Sequence, residues 1–580
     1  MTANFYTDNP DLTRQLATLG LRRIVALRED DYEQADEFAY APSDYDDALD
    51  SYRRTLEIVG EIAGEFVAPR AEEVDRAGAT LAAGEVSYAP GLSESLTRLT
   101  QADLMGITLP RRYGGLNFPV TVSVMIVEMI SRADPALMNV FGLQDIAETV
   151  NKFAADELKD AYLPRFASGE VTGSMALTEP EAGSDLQNVQ LKASLGDDGV
   201  WRLNGVKRFI TNGGGQVSLV LARSEEGTSD ARGLSMFLYE RDEHMTIRRL
   251  EDKLGIHGSP TCELQFDDAP ALLVGERRRG LTTYVMSLMN GARIAIAGQA
   301  QGIAEAAYRA ATKYADERVQ FGGPIRNLTA VAAMLADMKV AIEASRALLY
   351  ETAIIVDLKE GLEHRIAQIQ SGERAVSDDD ELKQARAELK RYTRLAALFT
   401  PLAKACATEM ANQVAYDSLQ IHGGSGYMRD FAIERHSRDA RITNIYEGTT
   451  QLQVVAAIGG VLSGTMAEHL AGLDGEDLSA TPELLVAVRA ARESWAAAVA
   501  HVRALGDTAF RDFHARRLVE AAIDLVCAYL LLRSAQSDAR KLLVARYFVE
   551  QMSGRVEAAV RAVVTGTPAS LDALQALGRD

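Results

Sequence analysis

Between residues 45 and 170 the apolar side chains recur three or four positions apart, as in Leu56, Val59, Ile62 and Phe66, then Val120, Val124, Ile126, Met129 and Ile130. That spacing gathers them on one face of a helix and predicts a helical domain. Around Gly173 the pattern changes to alternation. Val200-Trp201-Arg202-Leu203 and Val206-Lys207-Arg208-Phe209-Ile210-Thr211 flank Asn204-Gly205, a dipeptide suited to a type I′ turn, so a β-hairpin is expected there. Strand-like runs at 217–222, 234–239 and 262–266, separated by Gly, Asp and Pro, extend this into an all-β middle unit. After Gly280 the helical period returns and lasts to about Leu462, with long segments at 295–314, 331–356 and 390–420 that suggest a helix bundle. The polar stretch 371–381, with Asp378, Asp379 and Asp380, reads as a solvated loop and not as a metal site. Residues 463–481, rich in Gly, Asp and Ser, read as a linker, and 482–564 as one more all-α unit. No fixed-period repeat is visible, which argues against a solenoid.

The fold class expected is α+β and multidomain. It comprises an N-terminal arm (1–45), an N-terminal helical domain (46–172), a central β-barrel-like domain (173–280), a C-terminal four-helix-type bundle (281–462) and an appended all-α domain (463–580).

Composition narrows the function classes. With 47% hydrophobic and 25% charged residues, the 580-residue chain can bury large cores in an ordinary globular way. Its net charge of -21 would repel a nucleic-acid backbone, so no nucleic-acid partner is expected. Cys262, Cys406 and Cys527 lie more than a hundred residues apart, suggesting neither a disulfide framework nor a clustered metal site. The polar start shows no apolar signal stretch. The longest apolar tract, 521–532, is interrupted by Asp524 and falls short of the ~20 residues a bilayer requires, so it reads as a core helix. A cytoplasmic location without membrane association is the resulting expectation.

Candidate chemistry concentrates in Tyr446-Glu447-Gly448-Thr449-Thr450-Gln451-Leu452. A carboxylate sits there in a turn between the basic stretch 435–441 and an apolar helix beginning near Leu452. A lone Glu is usually a solvated charge; one set between an aromatic ring and a glycine, before a buried run, is placed to touch a ligand. Ile421-His422-Gly423-Gly424-Ser425-Gly426-Tyr427 lies just upstream, and Leu177-Thr178-Glu179-Pro180-Glu181-Ala182-Gly183-Ser184-Asp185 far upstream. From about residue 50 to about 460 the chain resembles the acyl-CoA dehydrogenase family, flavoenzymes that desaturate acyl thioesters.

The resemblance implies FAD as cofactor, an acyl-CoA substrate and electron-transfer flavoprotein as the acceptor. Glu447 would be the base that removes the α proton. The family's alternative base position falls here on Ala292, which cannot take a proton, and the adjacent Arg293 would help hold the catalytic geometry. Leu177, Thr178, Gly183 and Ser184 match the signature that meets the flavin and the acyl pantetheine, and Phe209, Ile210 and Thr211 match the segment beside the ring. Arg318 and Phe321 resemble the pyrophosphate contact. Gln420, Gly423 and Gly424 resemble a loop that reaches a neighbouring subunit's cofactor, while Thr449 and Gln451 would add donors. Flavin sites built from two chains imply a homodimer. Ser184, Phe141, Tyr446 and Gly448 would line the substrate site, and the bulk of Phe141 points to a short, medium or modified acyl chain. Thr329 departs from the glutamine of many relatives. The appended domain is similar to extensions in dimeric branches; Leu398-Phe399-Thr400-Pro401 and Phe209 lean towards the branch acting on sulfur-containing propionyl thioesters. An oxidase of the same architecture and a non-catalytic flavoprotein remain the alternatives.

Overall fold

The computed structural model describes residues 3–374, 379–566 and 571–579. The first segment is helical: α1 (Pro10–Thr18) and α2 (Arg22–Arg28) bury Leu12, Leu16, Ile24 and Val25 in the main core. The helical layer continues through α3 (Tyr45–Glu61), α4 (Ala71–Ala77), a hairpin of β1 (Thr80–Ala82) and β2 (Glu85–Ser87), and α5 (Pro90–Gln101). It ends with α6 (Val120–Ala133), α7 (Pro135–Phe141), α8 (Ile146–Phe153) and α9 (Asp156–Ala167). Helix starts are chemically marked: Asp44 accepts from Asp47 N at 2.9 Å, and Asp134 accepts from Ala136 N at 2.8 Å. Helix α6 follows a proline and has no cap of its own. Its first two N–H groups donate instead to Asp357, at 2.6 and 2.9 Å, on a helix more than two hundred residues away.

Seven strands form the central sheet: β3 (Gly173–Ala176), β4 (Lys192–Leu195), β5 (Trp201–Thr211), β6 (Val217–Arg223), β7 (Leu234–Glu240), β8 (Met245–Leu250) and β9 (Thr261–Val274). Their order is β3-β6-β4-β5-β9-β7, and the additional β6–β7 pairing closes the last five into a barrel. The expected hairpin at Asn204-Gly205 is absent. Both predicted strands belong to β5, and the chain reverses one loop earlier, where Gly196 N donates to Val200 O at 2.9 Å. Asn204 spends its side chain on a bulge, accepting from Asp268 N at 2.9 Å. Gly205 allows close strand approach, since a Cβ there would lie 3.1 Å from Leu191 Cα.

The bundle consists of α10 (Met286–Glu317), α11 (Thr329–Ser371), α12 (Asp379–His422), α13 (Ile433–Thr443) and α14 (Thr450–Ser463), with a short hairpin of β10 (Val319–Gln320) and β11 (Gly323–Pro324) after α10. Gly372, at φ 81°, ends α11. Of the predicted loop at 371–381, residues 375–378, including Asp378, lie outside the described residues.

The predicted linker at 463–481 holds α15 (Thr465–Asp474) instead. Met466, Leu470 and Leu473 share one buried face there, and their burial outweighs the Gly and Asp content. The chain continues through α16 (Pro482–Leu505), α17 (Thr508–Ala535) and α18 (Ala539–Thr565). The apolar tract 521–532 lies within α17 and is almost wholly buried. Charges join this last unit to the rest. Arg540 and Lys541 of α18 bond Asp11 of α1 and Glu343 of α11, while Arg346 of α11 bonds Asp11, Glu128 of α6 and Glu305 of α10. Among the described residues no single helix is long and apolar enough to cross a membrane; the bent pair Thr450–Ser463 and Thr465–Asp474 passes that length and composition test jointly.

Candidate active site

Glu447 lies in the turn between α13 and α14. Its φ is 53° and that of Gly448 is 88°, the signs a type I′ turn requires at its two central residues. Glycine takes this conformation freely, whereas for glutamate it costs on the order of 1–3 kcal/mol and must be held by its surroundings. Gln453 Nε2 bonds the Glu447 carbonyl at 3.2 Å and the Gly448 carbonyl at 2.8 Å, and Lys404 Nζ bonds the latter at 2.7 Å. Thr449 caps α14 by accepting from Leu452 N. Thr450 and Asn444 both bond Glu409, and Gln451 is exposed.

The Glu447 side chain is shielded without being satisfied: Oε2 is buried and has no hydrogen-bond partner among the described residues. Burial pushes its carboxyl above the ordinary range, and the opposing charges of Lys404 and Arg293 pull it back. Lys404, 0% exposed, is drawn down to about 8 by desolvation, against the attraction of Glu447. Arg293 on α10 is partly desolvated as well; one guanidinium nitrogen bonds Asn290 at 3.2 Å while the buried Nε has no hydrogen-bond partner among the described residues.

Tyr446 reaches across to α7 and α10. Its hydroxyl bonds Gln299 and Asn139, and Gln299 Nε2 donates to Asn139 Oδ1 at 2.8 Å and to Pro135 O at 3.0 Å. These bonds tie the turn to the helix that ends in Phe141, itself buried. Glu447, Arg293, Tyr446 and Gly448 are thus brought together, with α7 fixed beside them.

A second group forms where two loops of the barrel meet. Lys207, fully buried, donates to Leu177 O at 2.8 Å and to Glu179 Oε1 at 3.0 Å, and Glu179 also accepts from Gln190 N at 2.7 Å and Leu191 N at 2.9 Å. Arg208 N donates to Thr178 O at 3.0 Å. Between Lys207 and Ile210 the register of β5 against β9 slips by one residue, and in this bulge Phe209 takes φ 63°. The bulge turns its ring outward to 51% exposure, with the Arg208 guanidinium 4.6 Å away over its face. Leu177 and Ile210 are buried, Thr178 and Thr211 half-buried, Gly183 and Ser184 exposed. Among the described residues no hydrogen bond or ion pair joins this group to the Glu447 group.

The third group faces outward. Arg318 follows α10, and Phe321-Gly322, at φ 52° and 85°, make the tight turn of the β10–β11 hairpin. Tyr314 links this end to the end of α12, stacking on His422 at 4.4 Å and bonding Ser425 at 3.3 Å, so that Gln420, Gly423 and Gly424 lie nearby, all exposed. Phe321 is 92% exposed, and the Arg318 guanidinium has no hydrogen-bond partner among the described residues.

These features fit a flavin dinucleotide: an open aromatic face beside a pinned loop suits the ring, and an unpaired guanidinium fork suits a diphosphate. Sequence reasoning missed Lys404, Gln299, Asn139, Gln453 and the Lys207–Glu179 pair. For Lys404 a signal existed: Thr400, Lys404 and Thr408 place polar groups four residues apart on a face of small apolar ones, and all three are buried.

Comparison with known proteins matches four family descriptions along the chain. They are the acyl-CoA dehydrogenase N-terminal domain at 50–170, middle domain at 174–269, C-terminal domain at 279–377 and 382–458, and "Acyl-CoA dehydrogenase C terminal" at 462–561. The 3-methylmercaptopropionyl-CoA dehydrogenase of Ruegeria pomeroyi is 32% identical over 79% of this chain and 80% of its own. Butyryl-CoA dehydrogenase from Megasphaera elsdenii superposes with a TM-score of 0.60 at 30% identity, covering 71% of this chain and 98% of that one. An acyl-CoA dehydrogenase complexed with FAD from Bacillus anthracis superposes with 0.73 at 23% identity over 91% of this chain and 90% of that one, a likeness of fold that includes the appended helices.

Proposed function

Since this chain belongs to the acyl-CoA dehydrogenase family of FAD-dependent oxidoreductases, we propose that it introduces a double bond between the α and β carbons of a short, medium or modified acyl-CoA, with Glu447 as the base. The observation that carries the reading is the buried Oε2 of Glu447, without a hydrogen-bond partner among the described residues, on a turn held at positive φ by Lys404 and Gln453. A carboxyl raised by burial is a stronger proton acceptor once ionised, and Arg293 with Lys404 keeps ionisation within reach. Tyr446, through Gln299 and Asn139, sets the turn against α7, so that an acyl chain entering beside Phe141 would present its α carbon to Glu447.

FAD, when bound, supplies the acceptor for the hydride that leaves the β carbon. Leu177, Thr178, Phe209, Ile210 and Thr211 would hold its ring, with Gly183 and Ser184 beside the diphosphate and pantetheine. Arg318, Phe321, Gln420, Gly423 and Gly424 face away from their own chain, which supports their serving a second copy in a homodimer; Thr449 and Gln451 would add donors. Electron-transfer flavoprotein is the proposed acceptor. The substrate preference rests on Phe141 and on the similarity to the Ruegeria pomeroyi enzyme, named for a sulfur-containing propionyl thioester. The test is to add acyl-CoAs of graded length, 3-methylmercaptopropionyl-CoA among them, to the anaerobic flavoprotein and follow loss of the yellow absorbance. Fastest bleaching by short, medium or thioether chains is expected; clear preference for long chains would refute the substrate assignment.

A further inference from the structure

Lys404 sits just past the middle of α12, sealed from solvent, one hydrogen bond from the carbonyl that follows the proposed base. A buried ammonium is costly and persists where a charge or a strained contact requires it. The strained contact is present: the 2.7 Å bond to Gly448 O closes the turn in which Glu447 takes φ 53°. The charge lies close by as well, since the ammonium is bonded to the backbone one residue after Glu447, whose buried Oε2 has no hydrogen-bond partner among the described residues.

We propose that Lys404 is a positioning residue for the reaction, fixing the Glu447 turn through the Gly448 carbonyl and supplying positive charge against which the Glu447 carboxyl ionises. The inference rests on Glu447 being the base. Other charged and titratable groups around the turn are Arg293 from α10, Glu409 from α12 acting on Lys404, Tyr446 alongside Glu447, and Asp439 of α13 acting on Tyr446. Among the described residues Arg293 is the other cation acting on Glu447. Deleting Lys404 removes part of the attraction and leaves the desolvation in place.

The experiment compares wild type with K404M, which removes charge and donor, K404Q, which keeps a donor, and K404R, which keeps the charge. Turnover requires ionised Glu447, so activity rises with pH along an acidic limb. That limb is expected to move up by about one pH unit in K404M and K404Q, and to stay near the wild-type position in K404R. The carboxyl C=O infrared band that is lost in E447Q should titrate with the same displacement, independently of turnover. A limb and band unmoved in K404M and K404Q, or a wild-type limb restored by K404Q alone, would overturn the electrostatic role. Because E447Q is measured alongside, the outcomes separate: an active E447Q removes the proposed function itself, whereas an inactive E447Q with unmoved Lys404 variants removes this inference alone.

Discussion

Replacing Lys207 by Met should loosen the loop proposed to hold the flavin. The ammonium bonds Leu177 O at 2.8 Å and Glu179 Oε1 at 3.0 Å, so its removal strips one donor from a carbonyl and the counter-charge from a buried carboxylate. Two backbone N–H groups, of Gln190 and Leu191, would still hold that carboxylate. Removing one partner of a buried pair costs about 3–5 kcal/mol, because the surviving charge is left uncompensated, and an orphaned carbonyl adds about 1 kcal/mol. Lys207 itself is under stress, drawn from 10.5 to about 8 by desolvation. Since a lysine with a depressed folded-state value burdens the fold while both states are protonated, the pair is held for geometry more than for net stability. The double replacement, Lys207→Met with Glu179→Gln, should therefore recover much of what the single one loses. The assay is thermal unfolding of the protein with and without FAD, flavin release followed by fluorescence, and hydrogen exchange over residues 177–184. Lys207→Met is expected to lower Tm by several degrees, speed exchange in that loop and weaken FAD retention at least tenfold, about 1.4 kcal/mol of the local loss. Wild-type Tm and wild-type flavin retention in the single variant would mean that Lys207 does not hold this loop, as would a double variant worse than the single one.

Arg318→Gln should weaken FAD retention roughly tenfold while leaving the Tm of the flavin-free protein unchanged, because the guanidinium has no hydrogen-bond partner among the described residues; a lower apo Tm would count against its assignment to phosphate. Arg346→Met should destabilise the fold by about 3–5 kcal/mol in urea titrations at neutral pH, since Glu128, Glu305 and Asp11 lose a shared cation. Burial pushes the Glu305 carboxyl up, but Arg346, with Lys339 and Arg309, outweighs this and holds it at about 2, so its contribution to wild-type stability is present above its ordinary 4.5 and lost as pH falls towards 2. Burial raises Glu128 and opposes part of this. The variant should show a flatter acid dependence over that window, and an unchanged one would contradict the assignment.

Much of the architecture was legible because it follows from periodicity. The long helices α10, α11 and α12 carry their apolar faces for eight or more turns, and β6 and β7 are bounded by Gly and Asp as expected. The misses have local causes. Asn204-Gly205 has turn chemistry, yet tertiary pairing with β9 used it for a bulge. In α15 three apolar residues decided the outcome over a polar composition. At the site, the turn around Glu447 announced itself by motif, but the groups that support it did not. Gln299, Asn139 and Lys404 lie 148, 308 and 43 positions from Glu447 by the numbering, and only packing brings them to it. Phe209 could be read as an aromatic beside a ligand, but its outward aim depends on a strand bulge that no residue type in β5 demands.

In the proposed reaction the carboxyl of residue 447 takes the α proton. The most direct measurement of that step is anaerobic mixing of the purified, flavin-loaded Glu447→Gln protein with the acyl-CoA that bleaches wild type fastest. The variant is expected to be a yellow, folded protein that binds the thioester and whose bleaching is slower by ~10²–10⁴-fold, the range a positioned base supplies. Bleaching at the wild-type rate would contradict it.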